Sequence, residues 1–287
     1  DRRLNMSFLY GAFGEAVHRL AGKPFTKPVT LKGELPTKTA NIEDNVDGLG
    51  KNMTQFAFDL MRVAVGKGLC HYLVDFPQMT QPASNLDEIR GAVGPRFVIV
   101  EPQSLIGGRS QVINGRRVPT QIRILTKTME PSGEFGEEEV TRIKVWEPNK
   151  WRTFLADGDT YKLEAEGKNT LGRIPLVSFY TDQTCFMMAK PPLEALAWLN
   201  IAHWQSASDQ RSILHQARCP MWVQSGMTSQ DDVKLGPGAF ARMADPNAKI
   251  WVVEIAGGSV AAGRQDLQDL EFKMHVLGAQ PELTQDT

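Results

Sequence analysis

The apolar positions near the start of the chain recur at helical intervals. Leu4, Phe8, Tyr10, Phe13, Val17 and Leu20 fall close to one face, and Gly22 with Pro24 ends the run, so a helix is predicted over Leu4–Leu20. Lys23–Pro36 reads as loop, and Asn41–Asp47 as an acidic turn. Met53, Phe56, Leu60 and Val63 share one face of a second helix, from about Leu49 to Val65, which Gly66 and Gly68 close. The continuous apolar run Leu69–Phe76 reads as a strand stopped by Pro77. Gln78–Pro95 is polar, with a short helix predicted around Leu86–Gly91.

From Arg96–Val100 onward the period falls from 3.6 to two. Asn114-Gly115, between Gln111–Ile113 and Arg116–Val118, is a hairpin signal, because both central residues of such a turn must tolerate positive φ. Gln121–Thr128 and Val140–Trp146 alternate strictly. Trp151–Leu155 and Thr160–Glu164 pair across Asp157-Gly158, and Ile174–Tyr180 is apolar enough to be a central strand. Several short strands joined by tight turns predict a small barrel or sandwich.

The pattern changes again after Pro191-Pro192. Leu193–Ala217 contains neither Pro nor Gly, so it reads as one helix roughly 37 Å long. Its first half is apolar (Leu193, Leu196, Ala197, Leu199, Ile201, Trp204). Its middle is polar and small (Gln205, Ser206, Ala207, Ser208, Asp209, Gln210), which suits a helix that packs on neighbouring copies or lines a wet passage. Pro220–Gln224 and Lys249–Ile255 read as strands on either side of the loop Thr228–Asn247, which holds a turn at Gly236–Gly238. Val260–Leu277 reads as a second long helix, with Leu267, Leu270, Met274 and Leu277 at 3-4-3 spacing. The whole is an α+β chain.

Composition narrows the function. The 287 residues carry 32 basic and 33 acidic side chains, and hydrophobic residues make up 41%. Tight gripping of nucleic acid through phosphate neutralisation calls for a basic excess, so that class is excluded. No stretch is apolar and long enough to span a bilayer. Cys70, Cys185 and Cys219 are odd in number and widely spaced, which implies no disulfide framework and a reducing compartment.

Candidate chemistry is thin. Cys70 and His71 sit in an apolar run, where a buried strand cysteine is the expected reading. Gly48-Leu49-Gly50-Lys51-Asn52 looks faintly like a phosphate loop but lacks its spacing. A helix-start turn accounts for it. Asp44 and Asp47 are too few for a calcium loop. No nucleophile stands at an informative spacing from His18, His71, His203, His215 or His275, and Glu137–Glu139 reads as a solvated charge run. No catalytic residue, metal site or cofactor is therefore expected. One charge feature is distinctive. Leu105–Thr128 carries Arg109, Arg116, Arg117, Arg123 and Lys127 and no acid, while Met129–Glu139 carries Glu130, Glu134, Glu137, Glu138 and Glu139 and no base. The two blocks either pair within one hairpin, the favoured reading, or meet across a subunit interface.

The order of these parts resembles the portal proteins of tailed bacteriophages. The resemblance rests on Gly68-Leu69-Cys70-His71-Tyr72-Leu73-Val74-Asp75, on Gly172-Arg173-Ile174-Pro175, and on Pro191-Pro192-Leu193 opening the segment Leu199-Asn200-Ile201-Ala202-His203-Trp204-Gln205-Ser206-Ala207-Ser208-Asp209-Gln210-Arg211. It covers nearly the whole chain, and its motifs are structural. It implies residues 1–190 as a wing of helices and a small β-barrel, 191–217 and 260–278 as two stem helices, 218–259 as a small α/β clip between them, and 279–287 as the start of a tunnel region. It also implies a non-enzymatic ring of twelve subunits at a capsid vertex of the virion, assembled in the host cytoplasm. Double-stranded DNA would pass through the ring during packaging and ejection, and terminase, capsid and head-completion proteins would dock on it. Members of that family run on into a tunnel loop and a crown, so the resemblance makes Asp1–Thr287 a portion of a longer protein.

On that reading Trp204, Asp209 and Arg211 are expected at the subunit interface. Met227, Asp231, Asp232, Lys234 and Arg242 are expected on the terminase-facing clip, and Arg264 and Lys273 on the channel side. The competing readings are a monomeric enzyme or ligand-binding module built on the barrel, with His71, Asp75 and a nearby Arg as its polar groups, and another minor virion protein. In the monomeric case the two long helices would pair with each other.

Overall fold

The computed structural model describes residues 7–33, 42–76, 94–218, 221–226, 232–233, 241–242, 245, 247–253 and 257–278. The chain divides into two compact units, one of Gly14–Glu194 and one of Asp1–Phe13 with Ala195–Thr287.

The first helix, α1, spans Ala12–Gly22. It starts well after the position its periodicity predicted. Residues 7–10 are not helical; Phe8, Leu9 and Tyr10 are consecutive and cannot share one helix face. Helix α2, Met53–Lys67, begins where Asn52 closes a capping box. The Gln55 N–H donates to Asn52 Oδ1 at 2.9 Å and the Asn52 N–H to Gln55 Oε1 at 3.3 Å. It ends at Gly68, whose N–H donates to Ala64 O.

Strand β1 (Leu69–Asp75) lies between β2 (Arg96–Val100) and β8 (Leu176–Tyr180) in an antiparallel sheet. β1 is therefore the central strand, and the apolar run at 174–180 is an edge. Its two faces are buried against different layers. Cys70 packs with Val63 and Ala64 of α2. Leu73 packs with Val100, Ile174, Ile122, Ile124 and Trp146.

The last three belong to a second sheet: β3 (Leu105–Ile113), β4 (Arg116–Ser132), β5 (Gly136–Trp146), β6 (Lys150–Asp157) and β7 (Thr160–Lys168), hydrogen-bonded in that order. The hairpin at Asn114-Gly115 has φ +51° and +75°, as the turn requires. The expected barrel is not closed, since β3 and β7 are both edges. The five strands instead form an open meander whose even-numbered β4 and β5 residues face the three-stranded sheet, giving the sandwich alternative. The short strands β9 (Gln183–Cys185) and β10 (Met188–Ala189) form a ribbon after β8.

The second unit holds the long helices α3 (Glu194–Arg218) and α4 (Gly257–Leu277). Between them β11 (Met221–Ser225) pairs with β14 (Lys249–Val253), and β12 (Asp232–Val233) with β13 (Ala241–Arg242). Among the described residues this insert is all β, where an α/β clip was expected. α4 begins at Gly257, three residues before the predicted start at Val260.

Candidate functional site

The long helices meet through polar side chains. α3 has no Gly or Pro, an acid in its first turn and His215 and Arg218 in its last, which suits the helix dipole. His203 Nε2 lies 3.1 Å from Glu271 Oε1. Ser206 Oγ donates to Asp266 Oδ2 at 2.6 Å, and Gln210 Nε2 donates to Val260 O at 2.8 Å. As numbers rise along α3 they fall along α4, so the pair is antiparallel. His203 and Gln210 are buried. Gly263 makes room for this seam: a Cβ there would lie 2.0 Å from Gln210 Oε1. The described N-terminal residues fasten to the same helix. The Phe13 N–H donates to Asn200 Oδ1, the Tyr10 ring stands 5.4 Å from the His203 ring, and Arg211 lies over the Phe8 ring.

The outward surface is the reverse. Trp198 is 66% exposed and Ile201 42% on α3; Phe272, Val276 and Leu277 on α4 are 46–61% exposed. The antiparallel register puts both groups at the same end of the pair. A helix hairpin that works alone buries its apolar stripe and turns polar groups to water. Here Leu196 and Met274 are buried, as are the His203 imidazole and the Gln210 amide, while a second set of large apolar side chains faces solvent.

The residues expected at a subunit interface sit on this helix: Trp204 is half-buried, Asp209 and Arg211 are exposed. Arg264 and Lys273 are exposed on α4. Met227, Asp231 and Lys234 lie outside the described residues, as do Cys219, the predicted helix at 86–91, the turn at 236–238 and residues 279–287. Asp232 and Arg242 fall in β12 and β13. The sequence suggested that the polar centre of α3 packs on neighbouring copies or lines a wet passage, with pairing of the two helices as the monomeric alternative; that pairing is present. His203, Ser206 and Gln210 belong to the intrachain seam, and Trp198 and Phe272 were missed. Spacing carries the signal in hindsight: His203, Ser206 and Gln210 recur at i, i+3, i+7.

The enzymatic candidates come apart. Cys70 is fully buried in the α2 layer, and burial pushes its thiol up to about 12, so it holds no thiolate near neutrality. His71 is 1% exposed, with Nδ1 2.8 Å from Ser178 Oγ on the adjacent strand. That pair looks like a base and a nucleophile, but no described cavity reaches it. Asp75 pairs with Lys144 at 3.5 Å, not with His71. The faint phosphate loop spends its donors on the chain itself: Leu49 N–H and Lys51 N–H donate to Asp47 Oδ1 and Gly50 N–H to Asn45 Oδ1, while Lys51 Nζ pairs with Asp59.

The largest described cleft, about 920 Å³, lies where the two sheets part, lined by Asp75, Arg142, Lys144, Trp146, Trp151 and Glu164 among others. Asp75 with Lys144 and Arg142 with Glu164 are matched within it. Arg142 is held by Glu164 at 2.8 Å and by Glu130, and the Arg142 guanidinium keeps the Glu130 carboxyl below its usual range. No group of three or more metal-ligating side chains occurs, and no helix is long and apolar enough to cross a membrane, among the described residues.

Burial of His71 has a measurable consequence. It lowers the imidazole pKa from 6.5 to about 4. Below pH 6.5 the unfolded chain takes up a proton that the folded chain refuses, so stability is lost as pH falls toward 4. At pH 5 the loss is about 2 kcal/mol relative to pH 7.5. Urea titrations of the parent and of His71→Gln should show the parent losing that much more on acidification. Parallel curves would mean His71 can protonate in place.

Residues 192–286 match a domain family of unknown function, DUF4055. No protein of curated function matches the sequence. Among solved structures, 97% of the chain aligns with 69% of a chain in the virion of a native gene transfer agent particle, at TM-score 0.43 and 9% identity. A chain in the neck of the empty particle, computed with C6 symmetry, gives 0.44 and 10% over the same shares. One in the neck of the native particle, computed with C12 symmetry, gives 0.43 and 9%.

Proposed function

We propose that the chain is a structural subunit of a ring through which double-stranded DNA passes, of the portal type at a phage capsid vertex. The observation that carries this reading is the exposed apolar patch on the helix pair. Trp198, Ile201, Phe272 and Val276 together expose several large apolar side chains at one end of α3 and α4. Each is worth about 1.5–3 kcal/mol when fully buried, and neighbouring copies arranged in a ring bury them on both sides of every subunit. The α3 segment from Leu199 to Arg211, on which the sequence resemblance to portals rests, runs through this surface. In that ring α3 and α4 form the stem, the β11–β14 insert is the clip that terminase and head-completion proteins contact, and Arg264 and Lys273 face the channel. A near-neutral subunit suits a channel, because dense lysine–phosphate contacts would hold the DNA still. No step of this function asks for a catalytic group or a cofactor.

Electron microscopy and sedimentation of the intact protein test it. Closed rings of twelve are expected; a strict monomer at high concentration overturns it. Asp209→Ala separates interface from fold. It should weaken ring assembly about tenfold or more, in the range for one charged interface contact, and more than it destabilises the isolated subunit. Equal loss of both would remove Asp209 from the interface.

A further inference from the structure

β4 is 17 residues long, and its two ends carry opposite charge. At one end the β3–β4 hairpin turns at Asn114-Gly115. Beyond Ile122 it has no third strand, because β5 joins β4 only at Ile122↔Trp146. Arg109, Arg116 and Arg117 are exposed there, beside Val112 at 64% and Ile113 at 49%. At the other end the β4–β5 hairpin runs past Arg142, where β6 stops pairing, out to a turn at Gly133–Phe135. Glu134, Glu137 and Glu138 are exposed there, beside Met129 at 58% and Phe135 at 95%.

The two blocks do meet within the chain, but only where Lys127 pairs with Glu139 at 2.7 Å. The six residues at the extremes make no ion pair among the described residues. The register even sets Glu138 directly opposite Glu130, a like-charge pair that costs stability in a hairpin. Sixteen residue steps at about 3.3 Å place the two ends roughly 53 Å apart, so a single copy cannot bring them together. Two-stranded arms without a third strand or a covering layer are marginal in water. The arms match in kind: three arginines with two aliphatic residues at one end, three glutamates with Met129 and an aromatic ring at the other.

We propose that the β3–β4 tip of one copy docks on the β4–β5 tip of the next. Arg109, Arg116 and Arg117 pair with Glu134, Glu137 and Glu138, and Phe135 is covered by Val112, Ile113 and an arginine plane. The contact is heterologous, head to tail, so repetition closes a ring or runs on as an open chain. This proposal rests on the ring reading and supplies it with a lateral contact separate from the long helices.

Sedimentation of the intact protein tests it with two charge reversals, Arg109→Glu/Arg116→Glu/Arg117→Glu and Glu134→Arg/Glu137→Arg/Glu138→Arg. An exposed ion pair is worth a factor of about 1.4–5 in affinity, so three pairs turned to repulsion should weaken association about tenfold or more at about 0.05 M salt, and less at about 0.5 M. Each variant should melt as the parent does. Mixing the two variants, or combining all six substitutions in one chain, should restore association, because every contact is then again between opposite charges.

Association unchanged in either single-tip variant overturns the contact, as does failure of the combined variant to recover. So does loss of association on basic-tip reversal alone, which would assign that tip a different partner such as nucleic acid. Rings that persist in the reversed variants leave the ring reading standing and sink only the contact. Tip-dependent open chains that never close do the opposite.

Discussion

Replacing Gly68 by alanine should lower the stability of the Gly14–Glu194 unit by about 3 kcal/mol. The residue carries three demands at once. Its φ of +87° is a conformation that costs an L-residue roughly 1–2 kcal/mol. A Cβ there would lie 2.9 Å from Lys190 C and Pro191 N, backbone atoms that have no rotamer to escape into. Its own N–H caps α2 at Ala64 O, and its carbonyl accepts from Thr181 N–H and Oγ1. Relief by backbone movement would therefore break the junction of α2, β1 and the end of β8. Gly50→Ala is the internal comparison. Its φ of +98° imposes the same kind of strain, but nothing lies within 4 Å of the added carbon, so about 1 kcal/mol is expected. A loss of 3 kcal/mol corresponds to roughly 6–12 °C in melting temperature for a unit of this size. If the two alanines cost the same, the approach of Lys190-Pro191 to Gly68 is not rigid.

How far the sequence foretold this molecule depends on how local each signal is. Strands β3 to β7 were legible because each turn is encoded by the residues within it, such as Asn114-Gly115 and Asp157-Gly158. The lack of Pro and Gly placed α3 to within one residue at each end, and periodicity placed the end of α4 but began it three residues late. What remained hidden was non-local. Nothing within 174–180 says that Leu69–Asp75, and not that run, takes the central place in the three-stranded sheet; the order depends on strand pairings distant in sequence. Closure of a barrel depends on whether β3 reaches β7, 47 residues on from the end of β3 to the start of β7, and no local pattern reports that. The first helix was misjudged because Phe8 and Tyr10 are apolar for a tertiary purpose, as ring partners for Arg211 and His203. The polar centre of α3 was correctly marked as unusual, but composition alone could not divide it between a seam inside the chain and a surface for other copies. That division needed the position of α4.

Ile122→Ala should cost about 3 kcal/mol, the middle of the range for deleting three carbons from a filled core. Ile122 is 1% exposed and sits where the two sheets of the first unit meet, among Leu73, Val100, Ile124, Trp146 and Ile174. Its neighbours cannot close the gap easily, since each is anchored to a strand ladder and Trp146 is pinned opposite Trp151 and Ile122. Ile122→Val, which removes one methyl, should cost about 1 kcal/mol. The informative partner is Phe135→Ala, on the same sheet. Phe135 is 95% exposed and touches no core, so its removal should change stability by less than about 0.5 kcal/mol. If the acidic tip receives the basic tip of a neighbouring copy, Phe135→Ala should nevertheless weaken association. Urea titration and sedimentation of the three variants then give a double dissociation: one position that holds the subunit together and one that holds subunits to each other. An Ile122→Ala loss below about 1 kcal/mol would mean that the sheets are not packed at this position. A Phe135→Ala variant that melts early would mean that the arm is part of the subunit's own core, and the surface at its tip would lose its claim to be an interface.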